Sequence, residues 1–237
     1  MGDQLKVAPR EASVEPGDAE VESAEVILHQ FWLSSCSWRV RLALELKNIK
    51  HTKTPVRIEN GKIAEEYTKL NPMRQVPTLE IDGVVLTQSV AILEYLEETR
   101  PTPALLPKDA KTRAICRRMV EIINAGIQPI QNPAVSQKIA KLGGDQMAWS
   151  RLAIEKGFMA LEREVAAVPG RDEDFYMCTK EVTFADIMLV PQVANTKRFD
   201  VDMSQFPLLS QINKRLEQLE AFKAAHISLQ PGFVAPK

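Results

Sequence analysis

The stretch Ser34-Ser35-Cys36-Ser37-Trp38-Arg39 lies between an apolar run, Val26-Ile27-Leu28-His29-Gln30-Phe31-Trp32, and a helical pattern, Val40-Arg41-Leu42-Ala43-Leu44-Glu45-Leu46. The apolar run predicts a strand over 25–31 and the pattern after the junction a helix over 36–48. Hydroxyls and a thiol therefore stand where a strand ends and a helix begins. The first turn of a helix presents unpaired N–H groups and the positive end of the helix dipole. A thiolate or another anion is stabilised there, so the junction points to chemistry on sulfur.

Outward from this junction, an extended piece is expected over 52–56 and a polar helix over 63–70. Val76-Pro77-Thr78-Leu79-Glu80-Ile81 and Val84-Val85-Leu86 flank Asp82-Gly83, a hairpin signal because both turn positions need positive φ. Ser89 is expected to open a helix over Val90–Thr99, with Ile92, Leu93 and Leu96 at helical spacing, ended by Arg100-Pro101-Thr102-Pro103. The alternation of strands and helices over 25–104 reads as a small mixed-sheet domain. Residues 109–140, 145–167, 183–197 and 204–224 are long helical patterns and make 109–230 an all-helical domain. Thr183 and Asp186 read as the N-cap and N3 of a capping box, a structural signal.

The chain has 237 residues, long enough for two domains, and its net charge of −1 argues against nucleic-acid binding. Three cysteines, Cys36, Cys116 and Cys178, supply neither a disulfide framework nor a zinc pattern, and no metal site is expected. They fit a reducing, intracellular setting. No apolar stretch approaches the roughly 18 residues a membrane span needs, and a cytoplasmic location follows as the default. Residues 1–24 are acidic and poor in apolar groups, unlike a transit or signal peptide, and read as a disordered tail.

Three places carry chemistry. Cys36 has no Cys-x-x-Cys partner, so dithiol redox chemistry is disfavoured. Ser34 and Ser35 read as N-caps that can also donate to a bound thiolate. Val76-Pro77 reads either as a turn marker or as a cis-proline that leaves the Val76 backbone free to pair with a peptide-like ligand. Gln88-Ser89 reads first as a helix cap and second as a site for a carboxylate. Together the three describe a pocket for a small, anionic, thiol-bearing peptide.

At these residues the chain resembles the zeta class of the glutathione transferase superfamily. The resemblance rests on Ser34 to Arg41, Asn71-Pro72-Met73, Gln75 to Leu79, Gln88-Ser89, Tyr95 to Pro103, Gly126-Ile127-Gln128-Pro129 and Val190 to Asn195, and spans 25–230. It implies an α/β thioredoxin-like N-terminal domain, an all-α C-terminal domain and a homodimer. It implies glutathione as cosubstrate, and glutathione-dependent cis–trans isomerisation of maleylacetoacetate to fumarylacetoacetate, with general transfer to α-haloacids or other small electrophiles as the alternative. By the same resemblance Ser34, Ser35 and Cys36 form the catalytic group. Ser37, Arg39, Lys62, Val76, Pro77, Gln88, Ser89, Gln128 and Asn132 become glutathione contacts, while Ala134 stands where a serine is usual. The acidic substrate needs cations, for which Arg198 is the first candidate and Arg39 the second. A transferase-like fold kept as a binding module is the reading from another class, and the intact serine–cysteine group argues against it.

Overall fold

The computed structural model describes residues 25–59 and 62–235. The expected tail, residues 1–24, lies outside the described residues, as does the side chain of Lys62. Strand β1 (Ile27–Gln30) leads into α1 (Ser35–Leu46), β2 (Thr52–Pro55), a short hairpin β3 (Ile58–Glu59) and β4 (Lys62–Ile63), then β5 (Thr78–Ile81), β6 (Val84–Thr87) and α2 (Ser89–Thr99). The main sheet has the order β2-β1-β5-β6, with β1 parallel to β2 and antiparallel to β5. Asp82 and Gly83 take φ of 51° and 75° at the tight turn between β5 and β6, as the hairpin signal requires.

Between β4 and β5 the structure differs from expectation. The polar helix over 63–70 is a 3₁₀ turn, Glu65–Lys69, and the β3–β4 hairpin before it was not foreseen. Only Tyr67 of the turn is buried, packed with Val56 and Ile63. One apolar anchor cannot form the stripe that holds a longer helix.

Helix α1 is buried from Ser37 through Leu44 because it is covered on more than one side, packing on α2 and on two helices of the second half. That half contains α3 (Ala110–Asn124), α4 (Gln128–Gln131), α5 (Pro133–Lys141), α6 (Gln146–Ala166), α7 (Phe184–Arg198), α8 (Pro207–Leu216) and α9 (Glu220–Ala224). The pattern over 109–140 becomes three helices. Asn132, preceding Pro133, is held in extended backbone (φ −57°, ψ 136°), so α4 stops there and its side chain caps α5. Helix α7 is central, packed on α1, α3 and α8 and buried from Phe184 to Gln192. One apolar core runs through both halves. Glu97 holds the connection between them, accepting from the N–H groups of Leu105 and Leu106 and pairing with the Lys47 ammonium at 2.7 Å.

Candidate functional site

Sheet register gathers the three places. Thr78 pairs with His29 near the end of β1 and with Thr87 at the end of β6. Ser34 follows β1, Pro77 precedes Thr78 and Gln88 follows β6, so all three lie at one end of the sheet.

Ser34 is the N-cap of α1, its Oγ accepting from the Ser37 N–H at 3.2 Å. That leaves its hydroxyl proton to give elsewhere. Ser35 and Cys36, half-buried, form the first turn, where helix geometry provides no acceptor for their N–H groups. Ser37, expected as a ligand contact, is fully buried, and its Oγ accepts from the Phe31 N–H at 3.5 Å, inside the loop.

The Val76-Pro77 peptide is cis. Among the described residues the Val76 N–H and C=O form no backbone hydrogen bond. The buried Asn71 braces the loop, donating to Gln75 O at 2.6 Å and accepting from the Met73 N–H at 2.9 Å.

At α2 the N-cap is Gln88, not Ser89, and no side chain caps the helix. Gln88 holds φ 68°, ψ 112°, outside the region a glutamine ordinarily adopts. Ser89 is buried behind it. The capping alternative for Gln88-Ser89 is therefore not realised, and the first N–H groups of α2 keep no protein acceptor.

Arg39 is 1% exposed, and its Nη1 donates to Ser89 Oγ at 3.2 Å and to Asn124 Oδ1 at 3.3 Å. Its Nε and Nη2 form no hydrogen bond among the described residues. Burial lowers its pKa from the usual guanidinium value, against the opposing influence of Cys36 and Glu121. Arg39 thus sits behind Ser89, enclosed by the fold. Gln128 opens α4, half-buried, and Asn132 spends its carbonyl on the Ala134 N–H. Arg198 is exposed at the end of α7, its guanidinium 5.4 Å from the Phe199 ring centre, with no ion-pair partner among the described residues.

Sequence reasoning missed the buried polar links around this site. Gln131 and Gln192 exchange two amide hydrogen bonds, 3.2 and 3.0 Å, between α4 and α7. Arg41, fully buried, donates to Gln30 Oε1 at 2.5 Å, Ala225 O at 3.2 Å and Trp32 O at 3.3 Å. Burial pushes its guanidinium down to about 9. A charged residue inside the otherwise apolar run Val40–Leu44 was the available signal.

A family model described as the N-terminal domain of glutathione S-transferases matches residues 33–99. The maleylacetoacetate isomerase of Rattus norvegicus is 47% identical over 214 residues, covering 89% of this chain and 96% of that protein. A holo structure of a bacterial zeta-class maleylpyruvate isomerase superposes with TM-score 0.83 at 36% identity, covering 88% of this chain and 100% of the other. The maleylacetoacetate isomerase of Anaeromyxobacter dehalogenans, solved with dicarboxyethyl glutathione and citrate in its active site, superposes with TM-score 0.79 at 38% identity. It covers 90% of this chain and 95% of its own.

Proposed function

Since the chain belongs to the zeta class of the glutathione transferases, the maleylacetoacetate isomerase family, we propose that it isomerises maleylacetoacetate to fumarylacetoacetate with glutathione as cosubstrate. The observation that supports this most is the start of α2, which no side chain caps, beside the Ser34-capped, serine-rich first turn of α1, two anion-accepting places at one end of the sheet. The residues present fit glutathione: the strained Gln88 and the N–H groups of α2 suit a carboxylate, the Val76 backbone suits a peptide, and the α1 terminus suits sulfur.

Glutathione supplies a thiolate that adds to the conjugated cis double bond, making it rotatable, and leaves to restore the alkene as trans. The protein must first make that thiolate. A thiol of pKa near 8.5 is mostly protonated at neutral pH, and lowering it by about 2 units takes roughly 2.7 kcal/mol. A hydrogen bond from Ser34 to an anion contributes about 1.5–3 kcal/mol and the helix terminus about 0.3–1 kcal/mol. Ser34 is free to donate because its capping bond uses a lone pair. Ser35 and Cys36 stand beside the sulfur position as further donors. Arg198, without an ion-pair partner among the described residues, is the candidate cation for the substrate's carboxylate. In this reading residues 25–104 bind glutathione, with Lys62, Val76, Pro77, Gln88 and Ser89 among the contacts, and 109–230 bind the second substrate with Gln128 and Asn132 at its border.

Turnover of maleylacetoacetate that requires glutathione tests the reading; an equal rate without it would refute it. A far higher kcat/KM for a chlorinated acid would instead favour the general transferase. We place the enzyme in tyrosine and phenylalanine breakdown. We also place it in the cytoplasm, on its unpaired cysteines; cell fractionation tests this. A homodimer fits the exposed Met73, Val84 and Val85, and sedimentation velocity decides it.

A further inference from the structure

Arg39 is a buried cation whose surroundings do not match its charge. Its face of α1 carries Cys36 three residues earlier, close enough for the two side chains to be neighbours. From α2 it meets the neutral Ser89, and from α3 the neutral Asn124 with the acidic Glu121 beyond. Asn124 in turn donates from Nδ2 to Glu121 Oε2 at 3.4 Å, so the carboxylate is reached only through an amide. Among the described residues no carboxylate lies within ion-pair distance of Arg39, and two of its nitrogens have no acceptor. A buried charge without a close counter-charge is unfavourable, and an anion arriving nearby relieves it.

Ser89 decides what Arg39 can do. Its Oγ accepts from a charged donor, so its own proton turns away from the guanidinium, and the O–H bond is polarised by that donor. A serine held this way is a stronger and better-aimed donor to a carboxylate at the start of α2 than a free one.

We propose that Arg39 is a positioning residue that couples the two anionic ends of glutathione, acting on the carboxylate through Ser89 and on the sulfur beside Cys36 through space, with Asn124 bracing it from the helical half. The role rests on the glutathione site argued above. It removes Arg39 from direct ligand contact and assigns to Asn124 a part in thiolate formation. Because one cation serves both ends, affinity and sulfur ionisation must respond together when its charge is removed, and separately when only its reach is changed.

The test is calorimetric glutathione binding, together with ultraviolet titration of the bound thiolate, on the full chain and its variants. Arg39→Gln should weaken glutathione at least tenfold and raise the bound thiolate pKa by about one unit, a tenfold change in ionisation. Arg39→Lys keeps charge but loses the reach to Ser89; it should weaken binding at least threefold while the thiolate pKa stays within a few tenths of wild type. Ser89→Ala should weaken binding without moving the thiolate pKa, and adding it to Arg39→Gln should cost less affinity than it does in the wild-type chain. Asn124→Ala should raise the thiolate pKa by a smaller amount than Arg39→Gln. Wild-type affinity and thiolate pKa in folded Arg39→Gln would overturn the role. If that variant does not fold, unchanged affinity in Arg39→Lys overturns it, and the split between affinity and pKa supports it. Failure of wild-type protein to bind glutathione would refute the site itself, an outcome distinct from wild-type binding with silent Arg39 variants.

Discussion

A serine hydroxyl has one proton and two lone pairs, and at Ser34 one lone pair is committed to the Ser37 N–H. Removing the hydroxyl thus takes away both a cap and the proposed donor to the glutathione thiolate. Ser34→Ala should raise the pKa of bound glutathione and weaken every glutathione-dependent reaction by about 1.5–3 kcal/mol, read as kcat/KM. Cys36→Ala should leave that pKa almost unaltered and slow isomerisation more than conjugation; the reverse pattern would exchange their roles. A second residue to test is Asp186, fully buried at the start of α7. It accepts from the Met177 N–H at 2.9 Å and from the Thr183 N–H and hydroxyl, each at 2.8 Å, yet burial pushes it up to about 6. Unfolded, it ionises near pH 4. Between about pH 4 and 6 the folded state then binds more protons than the unfolded one, so stability falls as pH rises and levels off above 6. Urea unfolding should show wild type losing ground to Asp186→Asn across that window; a constant difference between the two would contradict it.

Elements meet closely where a side chain is missing. Gly157 lies mid-way along α6 against the fully buried Ile127 at the head of α4, and a Cβ there would overlap the isoleucine side chain. In an open helix alanine would stabilise relative to glycine. Here Gly157→Ala should destabilise by about 1–3 kcal/mol through overpacking. A rise in the thermal midpoint would show that α4 yields. The capping box at Thr183 and the hairpin at Asp82-Gly83 were legible because each is written in a few adjacent residues. The 3₁₀ turn at Glu65–Lys69 and the split of α3, α4 and α5 were less so. A lone apolar anchor such as Tyr67, or a proline inside a long polar pattern, sets the end of an element only once its neighbours are in place.

At the scale of the molecule, a buried polar network joins distant parts of the chain. Arg41 collects oxygens from Gln30, Trp32 and Ala225, while Gln230 accepts from Gln30 at 3.4 Å and donates to Ala224 O at 3.3 Å and His226 O at 2.9 Å. The loop that carries Ser34 is thereby tied to the C-terminal segment, where Phe233 also meets Trp32 edge-on at 5.2 Å. Arg41→Met preserves bulk but leaves these oxygens without a donor. Two of them belong to the backbone and cannot be redesigned away. The loss should be on the order of 2–3 kcal/mol in urea unfolding, and an unchanged midpoint would mean that other donors reach them.

The sequence alone determined the strand–junction–helix at Ser34, the mixed sheet followed by helices and the hairpin, and it singled out the three places proposed to hold a ligand, because each rests on periodicity or on short-range turn and cap chemistry. Tertiary structure decided the roles of polar residues that the fold encloses. Whether the Ser37 hydroxyl is open or turned to the Phe31 N–H, whether Gln88 or Ser89 begins α2, and whether Arg39 is exposed or enclosed depend on partners 6 to 85 positions away. A buried polar group must find a partner or bear the loss of its water, and that partner comes from whichever element the sheet register and helix packing bring beside it.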